Sequence, residues 1–136
     1  MSEQELPEMA ALIKTLAHLR QACAWDREQT HESLAKYLTE ESQELVEAIE
    51  SGDRANLLEE LGDVLYQVLF HADIAANATS ESFDIEDISR AVRLKMERRH
   101  PHVFGSEVAE TAEEVSANWQ KWKAAEKASR TSPFDN

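Results

Sequence analysis

The scarcity of chain-turning residues constrains this chain most. Its 136 residues include three glycines and three prolines, and no proline falls between Pro7 and Pro101. So few turn formers disfavour a sandwich or barrel of many short strands and favour a few long helices. The length corresponds to one domain able to bury its own core. Hydrophobic residues make up 42% and charged residues 30%, which is ordinary for a folded protein and too apolar for a disordered one. A single cysteine, Cys23, excludes an internal disulfide and any cysteine-cluster metal site. No apolar run reaches the roughly 18 residues of a membrane span. The acidic start, Met1 to Glu5, does not resemble a signal peptide, so a cytoplasmic location is expected.

Apolar periodicity lays out the helices. Met9, Leu12, Ile13, Leu16 and Leu19 predict a helix over about 7–22, with Pro7 suited to its first turn. Residues 22–29 show no period and predict a loop. Thr30 is placed to cap a second helix that buries Leu34, Tyr37, Leu38, Leu45, Ala48 and Ile49 and stops at Ser51-Gly52-Asp53. A third helix follows over about 54–78. Asp84 is placed to cap a fourth, carrying Ile85, Ile88, Val92 and Met96 and halted by Pro101. Thr111 and Glu114 give a capping-box signal for a last helix with Val115, Trp119 and Trp122. The expected domain spans residues 1–128, and the polar stretch 129–136 is expected to form a loose tail. The fold class is all-α.

Charge then narrows the function. Acids outnumber bases 27 to 14, a net charge of −13, which repels nucleic acid and anionic membranes. Nine acids and one base, Arg54, lie between Glu40 and Asp63. Several of these acids stand on the wrong face. At 100° per residue, Glu41 falls inside the apolar stripe of the second helix and Glu44 falls at its edge beside Tyr37. On the largely apolar third helix, Glu60, Asp63, Gln67 and His71 line one narrow strip. Two helices joined by a short turn thus each bring a carboxylate pair toward an interior. Four converging carboxylates without counter-charge raise one another's pKa, and a hard divalent cation resolves the conflict. A solvated acidic face is the alternative if the helix phases differ. On the fourth helix, Lys95 and Arg99 lie on the buried side beside Ile88 and Val92. They either snorkel to the surface or, next to a carboxylate–metal cluster, clamp phosphate oxygens.

The segments Cys23-Ala24-Trp25-Asp26-Arg27-Glu28-Gln29-Thr30-His31, Glu40-Glu41-Ser42-Gln43-Glu44, Glu60-Leu61-Gly62-Asp63-Val64-Leu65-Tyr66-Gln67 and Lys95-Met96-Glu97-Arg98-Arg99-His100-Pro101-His102-Val103-Phe104 resemble, in this order, the MazG nucleoside triphosphate pyrophosphohydrolases of the all-α NTP pyrophosphatase superfamily. The resemblance extends from about Leu12 to Lys123. It implies magnesium, with manganese as an alternative, bound by Glu41, Glu44, Glu60 and Asp63, and a basic pair at Lys95 and Arg99. It implies hydrolysis of a nucleoside triphosphate to monophosphate and pyrophosphate, use in clearing non-standard nucleotides, and a four-helix core completed by a second subunit. The usual C-P-W-D loop here has alanine at position 24. Many bacterial members carry two such domains, and this chain resembles the first.

Within that implied chemistry, Glu41 is assigned the extra role of taking a proton from water. Lys95 and Arg99 neutralise the departing pyrophosphate, and Trp25 either stacks on the base or plugs the bundle end. His31 and His71 are expected to be satisfied, partly buried histidines, and Gly62 is expected to permit close helix approach. The third helix is apolar on more faces than one neighbour covers, which independently favours a homodimer, with a tetramer as the larger alternative. A non-catalytic helical dimer that binds nucleotide or a partner protein is the rival reading.

Overall fold

The computed structural model describes residues 5–134, and among them every regular element is helical. The order is α1 (Pro7–Ala22), α2 (Ala24–Glu28), α3 (His31–Ser51), α4 (Arg54–Asn77), α5 (Ile85–Arg98), α6 (Pro101–Phe104) and α7 (Ala112–Ser129). None of the described helices is long and apolar enough to cross a membrane. The chain divides into two compact units, residues 1–85 and 86–136, with α5 starting at their junction.

In the first unit, α3 packs along α4, and α1 packs on α2 and α4. Leu16, Leu34, Leu69 and Phe70 form the buried centre, with Leu12, Ile13, Tyr37, Leu65 and Ile85 among the side chains against it. Arg20 ties three helices together. Its Nε donates to Asp73 Oδ2 at 3.1 Å, its Nη1 donates to the Asp26 carbonyl at 2.9 Å, and its guanidinium lies over the Phe70 ring at 5.3 Å.

The helix ends follow from local chemistry. Thr30 Oγ1 accepts from the Ser33 N–H while Ser33 Oγ accepts from the Thr30 N–H, a capping box that starts α3. Gly52 ends it in the left-handed region at φ 71°, where a side chain would be strained. Asp53 Oδ1 then accepts from the N–H groups of Ala55 and Asn56 and opens α4. Two residues, Gly52 and Asp53, therefore reverse the chain between two helices of 21 and 24 residues.

In the second unit, Thr111 Oγ1 accepts from the Glu114 N–H as expected. The Glu114 carboxylate, however, accepts from Glu110 rather than from the cap residue itself. Arg99 and Glu126 are buried together, and Trp122 is buried on the same face of α7 as Glu126, one turn away.

Several expectations need correction. Residues 22–29 are not a simple loop, because Ala24–Glu28 closes a short helix whose Arg27 N–H bonds the Cys23 carbonyl. Pro101 not only halts α5 but opens α6, where its missing N–H is harmless. Leu38 and Ile49, read as buried, are exposed, as is Val92. Nothing lies within 4 Å of a side chain built at Gly62, so close helix approach does not explain that glycine. The helical part of the chain runs through Ser129, and Arg130 is held by Glu126. Positions 135–136 of the expected tail lie outside the described residues.

Candidate metal centre

The α3–α4 hairpin brings Glu41, Glu44, Glu60 and Asp63 together. One carboxylate oxygen from each lies within 4.8 Å of the others. Three of the four side chains are half-buried and Glu44 is exposed. Burial, followed by the charges of Glu44 and Asp63, pushes Glu60 up to about 7 and moves Glu41 in the same direction. Hydrogen bonds with Glu44 favour the protonated form of both.

This donor set fits a hard divalent cation. Glu41 Oε2 and Glu60 Oε2 are buried without a hydrogen-bond partner, and a carboxylate oxygen left so carries an uncompensated desolvation cost. Oxygen ligands from four carboxylates suit magnesium or manganese, and a cation between them removes the repulsion that raises their pKa.

Further along the same strip of α4, Gln67 Oε1 and His71 Nε2 are also buried and unpartnered. His71 is not isolated at its other nitrogen. Its Nδ1 lies 2.7 Å from His31 Nδ1, and the two rings lie edge to edge with centroids 5.0 Å apart and planes 7° from parallel. His31 Nε2 meets the Glu81 carboxylate at 2.8 Å. Burial and the neighbouring His31 lower the His71 pKa below its ordinary 6.5. His31 is thus satisfied at both nitrogens and His71 at one only. Glu81 was not singled out from the sequence, because it sits in a loop without periodicity.

Trp25 stands on α2, 50% exposed, with its ring edge-on to Tyr37 at 5.9 Å. Lys95 and Arg99 belong to the second unit. Lys95 is half-buried, whereas Arg99 is only 6% exposed and donates from Nε to Glu126 Oε1 at 3.0 Å. Glu126 also accepts from Arg130 through Nε at 2.8 Å and through Nη2. The hydrogen bond from Arg130, then that from Arg99, hold the Glu126 carboxyl down to about 2 against the opposing effect of burial. Sequence reasoning missed this triad, although Glu126 shares a helix face with Trp122 and so carried the same signal as Glu41.

Fold and site define a class: an all-helical protein whose α3–α4 hairpin brings four carboxylates together. Residues 29–104 match the MazG nucleotide pyrophosphohydrolase domain, and the chain belongs to that family. It is 46% identical over 123 residues to the nucleoside triphosphate pyrophosphohydrolase/pyrophosphatase MazG of Thermotoga maritima, covering 89% of this chain and 46% of that protein. It is 39% identical over 126 residues to the nucleoside triphosphate pyrophosphohydrolase of Escherichia coli, covering 93% of this chain and 47% of that one. Its fold is similar to the crystal structure of a mazG-related protein from Thermotoga maritima, with TM-score 0.70 and 30% identity over 85% of this chain and 98% of that chain. The chain spans about half the length of these two curated relatives.

Proposed function

We propose that this chain hydrolyses nucleoside triphosphates, ribo or deoxy, between the α- and β-phosphates, releasing monophosphate and pyrophosphate with the help of a divalent cation. The observation that carries the reading is the convergence of Glu41, Glu44, Glu60 and Asp63 with two of their oxygens buried and unpartnered, in a chain of this family. Those four side chains would hold magnesium or manganese. When bound, such a cation supplies charge for the α-phosphate oxygens and lowers the pKa of water.

The chain's own residues do the rest. Glu41, one of the four converging carboxylates, takes the proton of the attacking water. Lys95 offers its charge to the oxygens of the departing pyrophosphate, and Trp25, half-exposed beside Tyr37, stacks on the base. Clearing of non-standard nucleotides in the cytoplasm suits an enzyme with so sequence-tolerant a base contact.

The assembly is a homodimer. On α4, Leu58 is 75% and Leu61 is 51% exposed, and Val46 and Ile49 on α3 are exposed as well. Apolar side chains this open favour burial against a second copy.

The test is a panel of NTPs and dNTPs with magnesium, with pyrophosphate and orthophosphate measured separately. Pyrophosphate is the expected product, and Asp63→Asn should lower kcat by at least about 10²-fold, comparable to losing one strong transition-state donor. If wild type releases pyrophosphate no faster than Asp63→Asn, the enzyme reading fails and a nucleotide- or partner-binding dimer takes its place.

A further inference from the structure

The strip on α4 does not end at the carboxylates. Glu60, Asp63, Gln67 and His71 follow one another on one helix face, and three of these four carry a buried, unpartnered polar atom. The protonation of His71 can be worked out from its neighbours. A carboxylate only accepts, so His31 Nε2 carries the proton it gives to Glu81. When neither ring carries a second proton, His31 Nδ1 is then an acceptor and His71 Nδ1 donates to it. That leaves His71 Nε2 as a bare lone pair, held in orientation by a two-step relay anchored at Glu81. A buried acceptor oriented this way and left unfilled is costly, so it marks the place of a donor.

Among the described residues the grouping of candidate metal ligands is the carboxylate quartet, and His71 is not part of it. The helix supplies the scale. At about 1.5 Å per residue, Gln67 stands about 6 Å and His71 about 12 Å beyond Asp63 along α4. These steps correspond to moving from phosphate to sugar to base along a bound nucleotide.

We infer that Gln67 and His71 extend the carboxylate site into a nucleoside-reading strip, in which His71 Nε2 accepts a hydrogen bond from an N–H group on the edge of the nucleobase. The inference rests on the pyrophosphohydrolase reading and adds to it a substrate preference. Gln67 is the less selective partner, because its amide donates from one end and accepts from the other. His71 commits to a donor. Both atoms are screened from water, so a hydrogen bond from the base to either of them would form without competition from solvent. His31 and Glu81 are positioning residues that fix the tautomer.

The experiment compares each nucleotide with a counterpart lacking one base N–H donor, such as ATP with purine riboside triphosphate and UTP with its N3-methyl form. Values of kcat and KM are measured for wild type, His71→Phe, His71→Gln and His31→Phe. Wild type should favour the donor-bearing member of at least one pair by about 5- to 10-fold, mainly through KM, the size expected for one hydrogen bond. His71→Phe should bring that ratio close to one. His71→Gln, which keeps an acceptor, should retain part of it, and His31→Phe should reduce it by releasing the ring. Should His71→Phe fail to fold, the graded ratios of the other two variants decide. A ratio unchanged in the variants, or no preference in any wild-type pair, overturns the inference while leaving the hydrolysis intact. If wild type hydrolyses nothing, the enzyme reading fails separately, and the same pairs are compared by equilibrium binding. There the same pattern supports the strip, and its absence overturns it.

Discussion

Cation binding at the carboxylate quartet should be a competition with protons, and its pH dependence can be worked from the structure. Glu60 is pushed up to about 7 in the cation-free protein, whereas the same side chain in the unfolded chain has its ordinary value of 4.5. At pH 8 about nine-tenths of such a group is ionised, and at pH 6 about one-tenth. A ligand must be deprotonated to coordinate, so Glu60 alone should weaken manganese binding about tenfold between pH 8 and pH 6. Glu41 is shifted in the same direction and steepens the trend. Near pH 7, Glu60 should release about half a proton per ion bound. Titration calorimetry in two buffers of different ionisation enthalpy reads both the affinity and the protons released. Glu60→Gln should bind more weakly at pH 8 but lose most of the pH dependence. The linked stability has a definite sign. A carboxyl whose folded pKa is raised favours the folded state below pH 4.5, and that benefit is lost as pH rises through 7. The cation-free protein should therefore lose stability over this window, and added manganese should restore it at the upper end. Equal affinity at pH 6 and pH 8, with no proton release, would refute the reasoning.

Further outcomes are expected. Lys95→Ala should lower kcat about 10-fold in the pyrophosphate assay, less than Asp63→Asn, whereas Trp25→Ala should raise KM more than it lowers kcat, because stacking is present in ground and transition states alike. Leu16→Ala empties a site at the centre of the first unit and should cost about 2–5 kcal/mol in denaturant unfolding. Glu126, held down to about 2, stabilises the second unit fully above pH 4.5 and loses that effect as pH falls toward 2; melting temperatures should fall over this range in wild type and respond less in Glu126→Gln. Sedimentation at micromolar concentration should show a dimer, and paired Leu58→Glu and Leu61→Glu substitutions should yield a folded monomer of 15.4 kDa.

Much of the fold was legible because it rests on local rules. The caps at Thr30 and Thr111 and the stop after Ser51 each depend on a side chain within a few residues of the backbone it serves. The convergence of the four acids was legible too, since two pairs of acids displaced onto apolar stripes leave a helical phase that can be counted. What escaped depends on distant partners. Exposure of Leu38 and Ile49 reflects which neighbours cover α3, and periodicity assigns a face without saying whether anything packs on it. The relay from Glu81 through His31 to His71 joins a loop to two helices, with no sequence period linking them. The short helix Ala24–Glu28 has too few residues to establish a period of its own.

The reversal at Gly52 also works as a ruler. Glu44 lies eight residues before it and Glu60 eight after; Glu41 lies eleven before and Asp63 eleven after. Equal counts along antiparallel helices place each pair at one height, so the quartet is set by counting from the turn rather than by contacts among the acids. One residue added between Asp53 and Glu60 would shift α4 by about 1.5 Å and rotate its acids by about 100°. The hairpin would still form, but Glu60 and Asp63 would turn away from α3. Length changes between Glu44 and Glu60 should therefore abolish cation binding while sparing helicity, whereas the non-helical stretch over residues 105–111, in the other unit, carries no such tally.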